Sequence, residues 1–218
     1  MNHSTTLRDY RIGQLTVHLE TIDDTESLLD DLIERGPADP DYQDEVLPYW
    51  ADLWHSALGL AESMVERSDE LRGKKVIELG CGLGLPGIAA VMLGAEVTFT
   101  DYVADALDFA RLNLEHNVPE HNARFMELDW RKPALKETFD FVLAADVAYE
   151  KRFFKPLYST IRGLLAPNGQ CWLSEPGRPI AREFLSGFTD HGFQEIWRTN
   201  KVASLDGVKR TVSIRAVG

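Results

Sequence analysis

The stretch VIELGCGLGLPGIAA (residues 76–90) runs from a β-type segment straight into glycines and then into a helix-forming segment. Gly82, Gly84 and Gly87 satisfy G-x-G-x-x-G, the spacing of a dinucleotide-binding turn. The same residues also read as Glu78-x-Gly80-x-Gly82-x-Gly84. Glycine removes the Cβ where a ligand must approach the backbone, and it permits positive φ in a tight turn; neither reason requires a pyrophosphate. Both registers demand a strand–turn–helix unit with a ligand held at the turn.

Downstream, strand-type and helix-type segments alternate. KKVIELG (74–80), EVTFTD (96–101), ARFMELD (123–129), FDFVLAAD (139–146) and GQCWLSE (169–175) read as strands. Helices are expected near 86–94, 103–117, 151–166 and 179–191, while the proline-marked RKPALKET (131–138) allows a turn or two. The order predicts βαβ units and a parallel sheet covered on both faces, with the apolar FDFVLAAD in a central position. FQEIWRTN (193–200) and VKRTVSIRAV (208–217) are joined by KVASLDG without a helix, so this last pair should be antiparallel.

Upstream, residues 1–48 read as an N-terminal cap and 49–218 as the main domain. RIGQLTVHLETI (11–22) alternates as one or two strands, and PADPDYQDEVLP (37–48) reads as a loop. TESLLDDLIERG (25–36) places Leu28, Leu29, Leu32 and Ile33 on one helical face with Gly36 as the stop. From Trp50 to Val65, the residues Trp50, Leu53, Trp54, Ala57, Leu58, Ala61 and Val65 form one helical stripe.

Composition narrows the function classes. The 218 residues carry a net charge of −12, with 44% apolar and 27% charged types, which is globular composition and excludes a largely disordered chain. The acidic balance, with no Lys/Arg cluster, argues against a nucleic-acid partner. The longest apolar run, LPGIAAVML (85–93), is far short of a membrane span, and MNHSTTLRDYR (1–11) lacks the apolar core of a signal peptide. Cys81 and Cys171 stand 90 positions apart, neither a zinc pattern nor a disulfide framework, so a cytoplasmic protein is expected. The histidines are scattered and no metal site is expected; H-E-x-x-H and G-x-S-x-G are both absent.

The set formed by Glu78-x-Gly80-x-Gly82-x-Gly84, Asp101, Asp129-Trp130 and Asp146-x-x-Tyr149 resembles the motifs of class I (seven-β-strand) S-adenosylmethionine-dependent methyltransferases. The lead-in PYWADLWHSALGLAESM (48–64) and the D-x-x-Y after the fourth strand resemble one branch, the family-16 protein lysine methyltransferases. GLGLPG, TDY, LDW and EPGRP are similar to its bacterial members, including those like electron transfer flavoprotein β-subunit lysine methyltransferase. The likeness covers roughly residues 45–190. It implies a Rossmann-like α/β fold whose seven-stranded mixed sheet has the order 3-2-1-4-5-7-6 and an antiparallel last strand.

By that resemblance Trp54, Glu78, Gly80, Cys81, Gly82, Gly84, Asp101, Tyr102, Asp129, Trp130 and Ala145 surround the cofactor, S-adenosylmethionine. Asp101 would accept from the ribose hydroxyls, Asp129 from the adenine amino group, and Trp130 would pack on the ring. Asp146 and Tyr149 would bind and align the acceptor amine. Each position has a plainer reading: Asp101 as a turn aspartate, Trp54 and Trp130 as core, Asp129 and Asp146 as helix caps. His55 reads as a structural histidine, and Arg178, just before Pro179, as a helix-start residue able to reach acidic groups. The implied function is methylation of a lysine on a protein substrate by a monomer. A small-amine or pyridine N-methyltransferase, and a nicotinamide-dependent reductase or silent nucleotide-binding module, are the alternatives.

Overall fold

The computed structural model describes residues 3–218. A hairpin, β1 (Thr5–Ile12) and β2 (Leu15–Ile22), is followed by α1 (Glu26–Arg35), a short α2 (Pro40–Gln43), α3 (His55–Glu66) and a short α4 (Ser68–Leu71). The sheet then begins: β3 (Lys75–Leu79), α5 (Leu85–Met92), β4 (Glu96–Asp101), α6 (Ala104–Asn117), β5 (Arg124–Glu127) and β6 (Phe139–Ala145). It closes with α7 (Phe154–Leu164), β7 (Leu165–Glu175), α8 (Pro179–Asp190), β8 (Glu195–Leu205) and β9 (Val208–Val217).

Seven strands form one sheet in the order β5-β4-β3-β6-β7-β9-β8. The first five pair in parallel, and β9 is antiparallel to both β7 and β8. This is the expected order, with the last strand reversed. The period-2 pattern of the central strands sorts their side chains onto two faces. Val76, Phe141, Leu143 and Trp172 join the core under α3, α5 and α6. Ile77, Leu79, Val142, Ala144, Cys171 and Leu173 pack under α7 and α8. The strand order reverses direction at β3, between β4 and β6, so the carboxyl ends of β3 and β6 flank the crevice where such sheets bind ligands. No helix among the described residues is long and apolar enough to cross a membrane.

The N-terminal hairpin is a separate two-stranded sheet, docked on α6 by two asparagines. Asn117 Oδ1 accepts from His18 N (2.8 Å), and its Nδ2 donates to His18 O (2.7 Å). Asn113, fully buried, accepts from Glu20 N (2.6 Å) and donates to Glu20 O (3.2 Å) and to Leu83 O (3.1 Å) in the glycine loop. One amide thus satisfies the edge of the hairpin and fixes the loop that shapes the site.

Three local readings are corrected. The stripe expected as a helix from Trp50 is a single 3-10 turn at Tyr49–Ala51, then extended backbone at Asp52 and Trp54, with α3 starting only at His55. The reason is local: Trp54 Nε1 donates back to Tyr49 O (2.9 Å), closing the turn, while Trp50 leaves the stripe to pack on Phe109. On α1 only Leu32 is buried, with Leu28 partly so, whereas Leu29 is 38% and Ile33 55% exposed. This short helix meets the body along its Leu28–Leu32 row and nowhere wider. The KVASLDG link is mostly strand, and a two-residue Asp206-Gly207 turn joins β8 to β9.

Asn113→Ala should lower stability by about 2–4 kcal/mol, because it orphans backbone groups in two elements at once. Urea unfolding checks this; a midpoint within error of the parent would show that the hairpin and the loop do not depend on this amide.

Candidate functional site

The site is built from the ends of β3, β4 and β6. The chain leaves β3 at Leu79 and turns through Gly80, Gly82 and Gly84, all at positive φ (62°, 50° and 85°), before α5 begins. A Cβ on Gly82 would stand 2.9 Å from Trp50 O, and one on Gly80 would stand 3.2 Å from the Trp130 indole. The third glycine of the G-x-G-x-x-G pattern has a different reason: a Cβ on Gly87 would fall 2.2 Å from the Phe99 ring and 2.5 Å from Glu78 Oε2. It serves close packing of helix on strand.

Two buried carboxylates hold this loop in place. Glu78 Oε2 accepts from Gly87 N (2.9 Å). Asp101 Oδ2 accepts from Gly82 N (3.0 Å) and its Oδ1 from Val103 N (3.1 Å). Burial raises the pKa of Glu78 well above the ordinary carboxylate range, with the Asp101 charge adding to it and the Gly87 N–H opposing. Burial also raises Asp101, against the N–H groups of Gly82, Val103 and Tyr102. Cys81 is buried, and desolvation pushes its thiol far up, so it offers no thiolate for chemistry.

Around the loop lies a cavity of about 870 Å³, of the size that holds a nucleoside-like ligand. All thirteen residues expected at the site line it: Trp54, Glu78, Gly80, Cys81, Gly82, Gly84, Asp101, Tyr102, Asp129, Trp130, Ala145, Asp146 and Tyr149. His55 does not; its ring contacts Val208 O (3.0 Å) instead. Trp130 meets Phe153 edge to face at 5.6 Å, and its buried indole N–H has no protein partner. Asp129 is engaged more fully than expected. Its Oδ1 accepts from both N and Nε of Arg131 (2.8 Å each) and its Oδ2 from Nε (3.1 Å).

A second layer comes from residues that the sequence did not single out. Arg131 reaches on to Asp44 Oδ1 (2.7 Å), and Arg152 donates to Asp44 O (2.8 Å), tying the loop before Tyr49 across the cavity. The hydrogen bond from Arg131 holds Asp44 below the usual carboxylate range. Tyr49 contacts Trp54 (6.1 Å) and Tyr149 (5.5 Å), both edge to face. Burial raises the Tyr149 hydroxyl far above its ordinary value, so it stays a neutral donor. These partners come from separate elements, and no spacing in the chain announces them.

Asp146 ends β6 in a left-handed conformation (φ 57°), with its N–H donating to Ser174 O (2.9 Å). It does not cap a helix. Both oxygens accept a fork from Arg178, Nε to Oδ1 at 2.8 Å and Nη2 to Oδ2 at 3.0 Å. Arg178 is also the residue before α8, with Pro179 in the first turn, so both readings of its position are realised.

Residues 45–188 match the profile of a family described as lysine methyltransferase. The chain is 37% identical over 127 residues to the histidine protein methyltransferase 1 homolog of Dictyostelium discoideum, covering 56% of this chain and 41% of that protein. It is 37% identical over 131 residues to EEF1A lysine methyltransferase 3 of Mus musculus, covering 59% and 56% respectively. The chain therefore matches about half the length of these curated relatives. The crystal structure of the ribosomal protein L11 methylase from Lactobacillus delbrueckii subsp. bulgaricus superposes with a TM-score of 0.61 at 18% identity, over 77% of this chain and 79% of that one. At that identity the likeness is one of fold.

The raised pKa of Glu78 has a testable sign. Stability from its protonated form is complete below the unfolded value near 4.5 and is lost as pH rises toward the folded value. Glu78→Gln keeps an oxygen for Gly87 N but has no proton to lose. Its melting temperature relative to the parent should therefore climb from pH 4 to pH 8; parallel melting profiles across that range would contradict the assignment.

Proposed function

The chain belongs to the lysine methyltransferase family, and from that premise we propose that it is an S-adenosylmethionine-dependent N-methyltransferase acting on a lysine ε-amine of a protein substrate. The observation that carries this reading is that Asp146 and Tyr149 open into the same cavity as the Gly80–Gly84 loop and Asp101. The residues fit the cofactor. Two glycines leave a cradle that a Cβ would fill, and Asp101, with Oδ2 accepting from Gly82 N and Oδ1 from Val103 N, keeps lone-pair capacity toward the cavity for a ligand hydroxyl. When bound, S-adenosylmethionine supplies a methyl group on a positively charged sulfur.

Asp101 would hold the ribose, Trp130 and Asp129 the adenine, and Trp54 and the Gly80–Gly82 turn the remainder. The protein's task is then alignment, because an in-line displacement gains most from holding nucleophile and methyl group in register. The ammonium form of the acceptor would first lose its proton to solvent, so that its nitrogen has a lone pair for the new N–C bond, and the pair of the broken S–C bond would stay with the departing cofactor. Holding a lysine neutral at pH 7 costs about 4.6 kcal/mol from a reference pKa near 10.4. Desolvation against Tyr49, Trp54 and Tyr149 works in the required direction.

The acidic chain suits a cationic protein partner better than nucleic acid or an anionic membrane. Two buried free cysteines are in keeping with a cytoplasmic location.

Asp101→Ala should weaken binding of S-adenosylhomocysteine by about 1.5–3 kcal/mol in calorimetric titration, the loss of a hydrogen bond to a charged acceptor. Unchanged affinity in the folded variant would remove the cofactor assignment. For the acceptor, the enzyme is incubated with labelled S-adenosylmethionine and cell lysate, and the labelled protein is acid-hydrolysed. Methyl-lysine is the expected product. Methyl-histidine, the product class suggested by the Dictyostelium relative's name, or label confined to small molecules would overturn the lysine assignment.

A further inference from the structure

The Arg178–Asp146 pair poses a chemical problem that the reading above leaves open. A lone carboxylate beside the acceptor would stabilise the ammonium form, which has no lone pair to give. Asp146 is not alone. Its carboxylate is nearly buried (6% exposed) and is gripped by the Arg178 fork at 2.8 and 3.0 Å. The fork takes one lone pair from each oxygen and leaves the others free to accept an N–H.

Arg178 is itself held from three sides. Its guanidinium carbon lies 5.2 Å from the centre of the Trp54 ring. Its backbone N–H, with that of Gly177, donates to Glu175 Oε2 (3.1 and 2.6 Å). Pro179 fixes the start of α8 directly after it. Such fastening suits a group whose placement matters, beyond a surface arginine that happens to find a partner.

We propose that Arg178 is a positioning residue that cancels the charge of Asp146, so that Asp146 aims the acceptor amine as a neutral hydrogen-bond acceptor site without holding it protonated. The proposal rests on the methyltransferase reading and deepens it. The amine would arrive after losing its proton to solvent, donate one N–H to a free lone pair of Asp146, and direct its own lone pair at the methyl group.

Of the other acidic groups lining the cavity, all but Glu45 on the loop before Tyr49 accept from a protein donor. Glu78 and Asp101, at the ends of β3 and β4, accept from the backbone of the glycine loop. After β6, Glu150 pairs with Arg152 (2.6 Å), and from β7 Glu175 accepts from Gly177 and Arg178. On the lead-in turn, Asp52 accepts from Thr25 Oγ1 (3.1 Å), while Tyr49 and Tyr149 add hydroxyls without charge. Arg131 and Asp129 neutralise each other on the adenine side. Asp146 and Arg178 therefore form the charge pair at the carboxyl end of β6 on which the acceptor's protonation depends.

The test is the pH dependence of initial methyl incorporation from labelled S-adenosylmethionine into lysate protein, over a no-enzyme control. Arg178→Met should move the acid limb up by about one pH unit, equivalent to a roughly tenfold smaller neutral fraction at pH 7. Arg178→Lys, which keeps the charge, should stay much closer to the parent. Asp146→Asn should move the limb down, and the double variant Asp146→Asn/Arg178→Met should return it to the parental position at a lower rate. Calorimetric affinity for S-adenosylhomocysteine should remain within about twofold in all four variants. A uniform drop in rate with no shift of the limb, or a rate gain from Arg178→Met at every pH, would overturn the proposal. If Arg178→Met does not fold, Asp146→Asn decides the matter, because it leaves a partly exposed arginine and keeps the fold: a limb moved down supports the proposal, and a limb at the parental position overturns it. Loss of cofactor binding by the parent protein would instead strike at the methyltransferase reading itself.

Discussion

Two carboxylates at the ends of adjacent strands, Glu78 on β3 and Asp101 on β4, hold the backbone that makes the site. Glu78 fastens the first turn of α5 through Gly87, and Asp101 fastens the turn itself through Gly82. Both are buried, so each carries a desolvation cost that the backbone N–H groups offset only in part. The parallel sheet pins their positions by pairing Glu78 with Phe99 and Leu79 with Thr100. The ligand cavity lies directly in front of them, at the point where the strand order reverses.

The rest of the cavity is assembled from distant segments. The N-terminal loop supplies Asp44 and Tyr49, the link after β5 supplies Asp129 to Arg131, and the start of α8 supplies Arg178. Ion pairs bridge these segments: Arg131 spans Asp44 and Asp129, and Arg178 reaches Asp146 after β6, while its backbone N–H donates to Glu175 at the end of β7. The three arginines of the wall, Arg131, Arg152 and Arg178, each pair with an acidic residue beside them.

What the sequence showed and what it hid divide along physical lines. The strands, their order and the terminal hairpin were legible because period-2 burial and the absence of a linking helix are local signals. The glycine turn and the acids at the strand ends were legible for the same reason. The start of α3 was misread because Trp50 and Trp54 fall on the helical stripe by spacing alone. Their true roles, against Phe109 and back onto Tyr49 O, depend on partners far away or on a turn closed by a side chain. The helix α1 formed where its spacing placed it, but only its Leu28–Leu32 row is covered, because periodicity reports how apolar residues are arranged and says nothing of how wide a surface receives them. Asp146 lines the cavity, but its Arg178 partner, 32 residues on, was visible only as a residue able to reach acids. Salt links between loops leave no periodic trace.

We propose that one cavity holds the cofactor on Asp101 and presents its reactive end to the Asp146–Arg178 pair. A crystal structure with S-adenosylhomocysteine tests this most directly. The expected result is the ribose hydroxyls on Asp101, the adenine beside Trp130, and the sulfur facing Asp146 with the Arg178 fork intact. A ligand bound elsewhere, or bound here with no contact to Asp101 and its sulfur turned away from Asp146, would contradict it.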